Sequence, residues 1–358
     1  MKKSKWFKSL SVLMICCFIL TAGLTGCGKK KTETHTSKGK TVKSVKQVKK
    51  DTSSVLTGLD VSKDERNMRP FAIMVENTKD AIPQYGLNSA SIIYECPVEG
   101  GITRLMPIFE NTTGLEKIGN VRSCRPYYVY IANEYNAIYT HFGQSKEGAD
   151  ALSLGLVDEI NGLSSVGGKV FYRTSDKKAP HNAYTSDAGL KTGAEKNGFS
   201  ITYNADEHKH FTFASAKKPN KLEKGADCKT VNLYFFNNKP FFKYNAQNGL
   251  YTRYEFGSEQ IDKNTGAAIT VSNIILQNVS SEKYDPNKGT LKLGVIGSGS
   301  GKFLTQGKVI DITWKRSSEK DITHYYDADG KEIVLNPGKT WVSLIENNYA
   351  DNNTFSAE

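Results

Sequence analysis

The sequence predicts an α/β domain in its N-terminal half and a second, mostly antiparallel β domain of the α+β kind in its C-terminal half. Two observations lead to this fold class. Over residues 55–205, runs of branched and aromatic residues alternate with segments of helical pattern, which is typical of layered α/β structure. Over residues 225–350, short β-like segments follow one another between turn signals such as Asn248-Gly249 and Asp329-Gly330.

A leader precedes both domains. Lysines at its start are followed by an apolar run over residues 10–24, and a membrane-spanning helix would need about 20 apolar residues. Residues 1–26 therefore predict a secretory signal peptide, with an uncleaved anchor as the alternative. The run ends in "LTGC", which resembles the lipobox of bacterial lipoproteins. The resemblance implies cleavage before Cys27 and a palmitate-type lipid on its sulfur, which would hold the protein to the outer face of the cytoplasmic membrane.

Residues 27–54 predict a disordered, lysine-rich tether, because they contain too little apolar bulk to offset the entropy lost on ordering. Four lysines in residues 1–26, and nine lysines against one glutamate in residues 29–50, more than account for the formal net charge of +11. Residues 51–358 then carry a formal charge of −1. Since the basic character lies outside the folded body, we expect no nucleic-acid partner.

The N-terminal domain, residues 55–210, contains the following predicted elements. We expect strands over residues 71–77, 90–98, 102–110, 137–143 and 169–174, and helices over residues 126–134, 146–154 and 186–197. Pro126 suits the first turn of a helix, and Gly198 suits a helix end.

The C-terminal domain, residues 225–350, is predicted to be built from short strands. The β-like segments are "TVNLYFF", "FFKYN", "LYTRYEF", "AITVSNIILQNV", "VIDITW", "THYYDADGKEIVL" and "TWVSLIE". The stretch "GVIGSGSGKF" does not complete a phosphate-binding loop, because the required glycine and Ser or Thr positions hold Ile296 and Phe303.

Polar residues cluster at the ends of the predicted N-terminal strands. If those strands are parallel, their carboxyl ends meet at one edge of the sheet, where α/β proteins bind ligands. Arginines beside a helix start would favour phosphate or carboxylate, although pairing with nearby glutamates is the alternative. The predicted ligand-binding residues are Arg122, Ser123, Arg125, His141, Ser145, Arg173, His181, Asn182 and Tyr184.

An enzyme is the main alternative to a binding site. Ser123 could act as a nucleophile with His141 or His181 as its base, but no acid stands out in the sequence to orient either histidine. Cys124 beside two arginines is a further candidate. The cysteine and histidine spacing predicts no metal site, and we expect no cofactor.

Several segments together resemble the YerB-like family of bacterial lipoproteins. They are "YECPVEGGITRLMPIF", "VRSCRPYYV", "AIYTHFGQS", "APHNAYTS", "TQGKVIDITW" and "LNPGKTWV", spread over residues 57–350. The resemblance implies a two-domain α/β architecture of unassigned function in the cell envelope. The predicted ligand-binding residues, with Gly143 and Pro180, fall on the recurrent motifs of the family. Relatives usually hold a small residue at the position of Cys124, which argues against a cysteine nucleophile.

Three functions follow as hypotheses. The first is a membrane-anchored lipoprotein that binds an anionic envelope ligand, with peptidoglycan stem carboxylates and teichoic-acid phosphates as candidates. The second is a cell-wall hydrolase or transferase that uses Ser123, His141 and His181. The third is an envelope scaffold without a small ligand.

Overall fold

The computed structural model describes residues 52–287 and 289–358. The predicted signal peptide, the lipidation site at Cys27 and most of the predicted tether therefore lie outside the described residues. Within the described part, no helix is both long and apolar enough to cross a membrane.

The described residues form five α-helices, all within residues 55–210. They are α1 (Lys63–Arg66), α2 (Pro126–Glu134), α3 (Lys146–Leu152), α4 (Gly167–Val170) and α5 (Asp187–Asn197). Pro126 occupies the first turn of α2, as the sequence predicts. Ser186 caps the start of α5 and Gly198, with a φ of 72°, ends it in the left-handed conformation.

In the described part of residues 55–210 there are nine strands. They are β1 (Phe71–Ile73), β2 (Val75–Asn77), β3 (Ile92–Pro97), β4 (Thr103–Phe109), β5 (Ile118–Gly119), β6 (Ile138–His141), β7 (Glu159–Asn161), β8 (Tyr172–Arg173) and β9 (Ala183–Thr185). The predicted strand over residues 169–174 is wrong in its first two residues, which end α4. A close approach between Gly162 and Gly167 forms this turn, since a Cβ on Gly167 would lie 2.2 Å from the carbonyl oxygen of Gly162.

Sixteen strands follow residue 210 in the part of the chain that the structure describes. They are β10 (Thr212–Phe213), β11 (Ala226–Asp227), β12 (Thr230–Asn232), β13 (Phe241–Asn245), β14 (Leu250–Glu255), β15 (Ser258–Glu259), β16 (Thr270–Val271), β17 (Asn273–Val279), β18 (Ser281–Lys283), β19 (Leu291–Leu293), β20 (Gly297–Thr305), β21 (Lys308–Arg316), β22 (His324–Tyr326), β23 (Val334–Leu335), β24 (Thr340–Glu346) and β25 (Thr354–Ser356). Most of their pairings are antiparallel, so the predicted fold class is confirmed.

One large sheet joins the two halves. Its order is β11-β21-β20-β17-β24-β3-β4-β1-β6-β7, with β2 on β4 and β22 on β21. The halves meet where β24 pairs with β3 in parallel, placing Trp341 beside Ile93 and Ser343 beside Glu95. The described residues belong to one compact unit. The division into two domains, at residues 55–210 and 225–350, stays a prediction from the sequence.

The two faces of this sheet are covered by different elements. Helix α2 packs its buried Tyr128 and Ile131 against one face, which includes Met74 and Cys96. The other face, with Val75 and Leu105, packs against a second sheet of order β15-β14-β13-β12-β25, with β16 on β14. Because side chains alternate along a strand, each side chain of β2 and β4 points to one of these two faces.

Candidate functional site

Strands β2 and β4 place two opposite charges side by side at the site. Glu76 and Arg104 are direct partners in the antiparallel pairing of these strands, so their side chains share a face. The segment between β5 and α2 runs along this face and brings in Arg122, Ser123 and Arg125. We call Arg104, Arg122 and Arg125 the arginine cluster.

Arg104 is the most deeply buried member of the cluster, with 5% of its surface exposed. Its Nη1 donates to the carbonyl oxygen of Ser123 at 2.8 Å, whereas its Nε has no hydrogen-bond partner. It makes no ion pair with any described carboxylate. Burial, followed by the charges of Arg125 and Arg122, lowers the pKa of Arg104 to about 10. A buried guanidinium without a carboxylate is costly, and an anionic ligand would offset that cost.

Arg125 is paired within the protein. Its Nε lies 2.5 Å from Glu99 Oε1, and its Nη1 donates to the carbonyl oxygen of Cys124 at 2.7 Å. Burial acts to raise the pKa of Glu99, but the hydrogen bond and the charge of Arg125 outweigh it and hold that pKa below its ordinary value. For Arg125, the sequence left open pairing with a nearby glutamate as the alternative to ligand binding, and the Arg125–Glu99 ion pair agrees with that alternative.

Glu76 connects Arg122 with His181. Its side chain is 3% exposed, and its Oε2 lies 2.9 Å from Nδ1 of His181 and 3.5 Å from Nη1 of Arg122. Arg122 Nη1 also donates to the carbonyl oxygen of Pro180 at 3.1 Å, while its Nε is buried without a partner. Glu76 is thus the acid that orients His181, a role that the sequence did not predict.

The three loops named by the sequence do meet at this face. Strands β1, β6 and β7 are parallel neighbours, and the backbone N–H of Phe142 donates to the carbonyl oxygen of Arg122. Ser123 Oγ donates to the carbonyl oxygen of Phe142 at 3.1 Å. Gly143 has a φ of 77°, and a Cβ there would lie 3.5 Å from Ser123 Oγ, so glycine suits this crossing.

His141 has no nitrogen available for a ligand. The ring is fully buried, with Nδ1 2.9 Å from the carbonyl oxygen of Gly143 and Nε2 2.6 Å from Glu159 Oε2. Ser145 is the N-cap of α3, and its hydroxyl accepts the N–H of Gly148 at 3.0 Å. Through these contacts, His141 and Ser145 stabilise the backbone around the site.

The remaining predicted residues lie on β8, β9 and the loop between them. Arg173 is exposed, stands 5.0 Å over the ring of Phe142 and donates to Asn182 Oδ1 at 2.7 Å. Tyr184 is buried, and its hydroxyl accepts from Asn120 Nδ2 at 3.1 Å. These contacts hold the loop that carries His181 against the arginine cluster.

Cys124 is not equipped as a nucleophile. It is buried, and burial raises the pKa of its thiol to about 12, which the nearby arginines do not reverse. Within the described ranges, no group of three His, Cys, Asp or Glu residues could hold a metal ion.

The sequence did not predict Arg104, Glu76 or Asn120 as residues of the site. Arg104 and Glu76 each carried one signal, a charge inside an otherwise apolar strand segment, "ITRLMPIF" and "FAIMVEN". A charge in a buried strand needs a partner or a ligand, and this rule could have found both residues.

The fold and the site define a two-part protein of the DUF3048 class. Residues 56–200 match the family model described as the N-terminal domain of the protein of unknown function DUF3048, and residues 230–342 match its C-terminal domain. The chain belongs to the YerB-like family, as its motifs predict.

Two known proteins illustrate the family. YerB of Bacillus subtilis (strain 168), whose given name classes it as a predicted lipoprotein, is 32% identical over 291 residues, which are 81% of this chain and 85% of the relative. The crystal structure of the YerB protein from Bacillus subtilis is similar at a TM-score of 0.75 and 29% identity, covering 85% of this chain and 99% of that chain.

Proposed function

We propose that this protein is a lipid-anchored envelope protein that binds an anionic ligand at the arginine cluster. The anchor would be the lipid on Cys27, which would place the folded body at the outer face of the cytoplasmic membrane. The relationship to a predicted lipoprotein supports this anchor. Peptidoglycan stem carboxylates and teichoic-acid phosphates are the candidate ligands.

The observation that carries this proposal is the state of Arg104. It is 5% exposed, lacks a carboxylate partner among the described residues and has an unpartnered Nε. Burial and then the charges of Arg125 and Arg122 lower its pKa, and the charge of Glu99 only partly opposes them. A bound phosphate or carboxylate would supply both the missing charge and the missing acceptors.

Not all predicted ligand-binding residues have the same role in the proposal. Arg122, Ser123, Arg125 and His181 lie around Arg104 or Glu76, its neighbour across the strand pair, and would meet the ligand directly. Arg173 and Asn182 would act at the edge of the site. His141, Ser145 and Tyr184 would hold the surrounding loops through the contacts described above.

The scaffold hypothesis predicts that the charged residues here are buried and mutually paired. The Arg125–Glu99 and His181–Glu76 pairs meet that expectation. Arg104 does not, which favours the binding hypothesis.

Calorimetric titration of the full chain tests the proposal. The probes are inorganic phosphate, poly(glycerol phosphate) and a muropeptide with free stem carboxylates. We expect one of them to bind, and Arg104→Met to weaken that binding by about tenfold or more, because a charge-assisted hydrogen bond to a desolvated anion is lost.

Arg69→Lys is the matched control. Arg69 is also largely buried, but it is paired with Asp158 at 2.6 Å, so its replacement should change the affinity by less than about twofold. The proposal is wrong if none of the three probes binds, or if Arg104→Met binds as tightly as the wild-type chain.

A further inference from the structure

The contact between Glu76 and His181 has the form of an oriented acid–base pair. A buried carboxylate holds Nδ1 of the imidazole at 2.9 Å, and no described residue makes a hydrogen bond to Nε2. The His181 side chain is 26% exposed, so a ligand or a water molecule can reach the ring. In this arrangement the carboxylate fixes the tautomer and leaves Nε2 as a proton acceptor.

The backbone around His181 is held from two sides. Its N–H donates to the carbonyl oxygen of Lys178, and its carbonyl oxygen accepts from Nδ2 of the buried Asn120. Asn120 Oδ1 remains a buried acceptor without a partner. A ring held in this way keeps its position when a ligand arrives, which is what proton transfer requires.

The acid–base pair adjoins the arginine cluster directly. Arg122 Nη1 is 3.5 Å from the same Glu76 oxygen that contacts His181, and Arg104 faces Glu76 across the strand pair. A ligand anion bound by Arg104 and Arg122 would therefore lie next to the imidazole.

We propose that His181 and the arginine cluster hydrolyse a phosphodiester, a step that rests on the anion binding proposed above. His181 Nε2 accepts a proton from a water molecule, whose oxygen forms a new bond to phosphorus. The bond between phosphorus and one ester oxygen breaks, and the imidazolium returns the proton to that oxygen. The products are an alcohol and a phosphate monoester.

The roles of the other groups follow from their contacts. Arg104, Arg122 and Arg125 stabilise the negative charge spread over the phosphoryl oxygens in the transition state. Glu76 is a positioning residue, since it touches His181 and not the reacting atoms. Ser123 is not the nucleophile in this step, because its hydroxyl donates to the carbonyl oxygen of Phe142.

Three charged groups govern how the step depends on pH. Glu76 and Arg122 face His181 from β2 and from the segment before α2. Lys177, on the loop of His181, is held by carbonyl oxygens of residues 81–83, and the charge of Glu76 acts on it. Loss of the Glu76 charge should destabilise the imidazolium and move the pH of half-maximal activity downwards.

The experiment uses the full chain with bis(4-nitrophenyl) phosphate and poly(glycerol phosphate) as substrates, beside titration with inorganic phosphate. We expect hydrolysis by the wild-type chain and a loss of about 100-fold or more in kcat with His181→Asn, typical of a missing general base. Glu76→Gln should lower kcat, leave KM within about threefold and shift the pH profile, which a purely structural role would not do.

His324→Asn is the matched control. His324 also pairs through Nδ1 with a glutamate, Glu332, at 2.5 Å, but both side chains are well exposed and far along the chain from the cluster. The activity of the His324→Asn variant should equal that of the wild-type chain. Hydrolysis that survives His181→Asn, or phosphate binding without any hydrolysis, would overturn the catalytic inference alone. Failure of every probe to bind would overturn the binding proposal as well.

Discussion

Two charged clusters lie at the same end of the central sheet, on opposite faces of β2 and β4. The arginine cluster lies on the face of Glu76 and Arg104. On the other face, beneath Asn77, Arg253 pairs with Glu95 at 3.0 Å and with Glu255 at 2.6 Å. We call Glu95, Arg253 and Glu255 the sealed cluster, since all three are buried.

The charged groups of the sealed cluster have most of their partners within the protein. The guanidinium of Arg253 also donates to Gln260 Oε1 at 2.6 Å and stands 4.1 Å over the ring of Trp341. Asn77 Nδ2 donates to Glu95 at 3.2 Å. These partners come from both halves of the chain, so the sealed cluster helps to hold the halves together.

The two clusters differ in their numbers of carboxylates and guanidinium groups. The sealed cluster has two carboxylates for one guanidinium, and both carboxylates are within ion-pair distance. The arginine cluster has three guanidinium groups, and Arg104 has no described carboxylate within ion-pair distance. The buried charges of the sealed cluster are therefore paired within the fold, whereas, on our proposal, a ligand supplies the anion that the arginine cluster lacks.

The largest expected effect is on stability and comes from the sealed cluster. Arg253→Met would leave two buried carboxylates without their cation, and we expect a loss of about 3–5 kcal/mol in the free energy of unfolding. Arg104→Met should leave that free energy unchanged or raise it by about 1 kcal/mol, because it removes an unpaired buried charge. Chemical denaturation of both variants measures their free energies of unfolding. Equal losses would show that the two clusters do not differ in how their charges affect stability.

A smaller effect concerns pH. Burial, opposed by Arg253 and reinforced by the charge of Glu95, raises the pKa of Glu255 from its ordinary 4.5 to about 7. A raised carboxyl pKa contributes stability that is complete below pH 4.5 and is lost as the pH rises through 7. Glu255→Gln should match the wild-type chain at pH 5 and be more stable by on the order of 2 kcal/mol at pH 8.

Denaturation of Glu255→Gln at both pH values provides the measurement. Glu282→Gln is the control, since Glu282 is exposed and pairs with the exposed Lys292, and it should show no such divergence. If Glu255→Gln followed the wild-type chain at every pH, the sealed cluster would not hold a protonated carboxyl near neutrality.

The smallest expected effect tests where the binding site around the arginine cluster ends. Ser145→Ala removes the hydroxyl that caps α3, which should cost about 1 kcal/mol in the free energy of unfolding. Because that hydroxyl is engaged by Gly148, affinity for the anionic probe should change by less than about twofold. A tenfold loss of affinity would extend the site to Ser145.

Local patterns predicted a large part of the fold. Helix α2 begins at Pro126 and ends at Glu134 as its sequence predicts, because proline and helical periodicity act within one turn. The predicted strand over residues 169–174 is wrong in its first two residues, because hydrophobic periodicity does not report the close approach of Gly162 to Gly167, five residues further on, that forms the turn before it. The shared sheet was also not predicted, because no local pattern specifies that β24 pairs with β3.

For the candidate site, the sequence named Arg122, Ser123, Arg125 and His181 but not the residues that give them their chemistry. Glu76, which orients His181, is 105 residues away from it along the chain. Arg104 meets the cluster only because β4 pairs with β2 in one register. A shift of that register by one residue would exchange Arg104 with Thr103 and move the charge to the other face.

By itself, the sequence determined the family, the fold class and a set of polar residues at strand ends, because these depend on motifs, periodicity and composition along the chain. Only the tertiary structure decided that Arg104 lacks a carboxylate, that Nε2 of the partly exposed His181 has no described hydrogen-bond partner, and which charges are sealed between the halves. Those properties depend on distances between groups far apart in sequence, and strand pairing and burial set these distances.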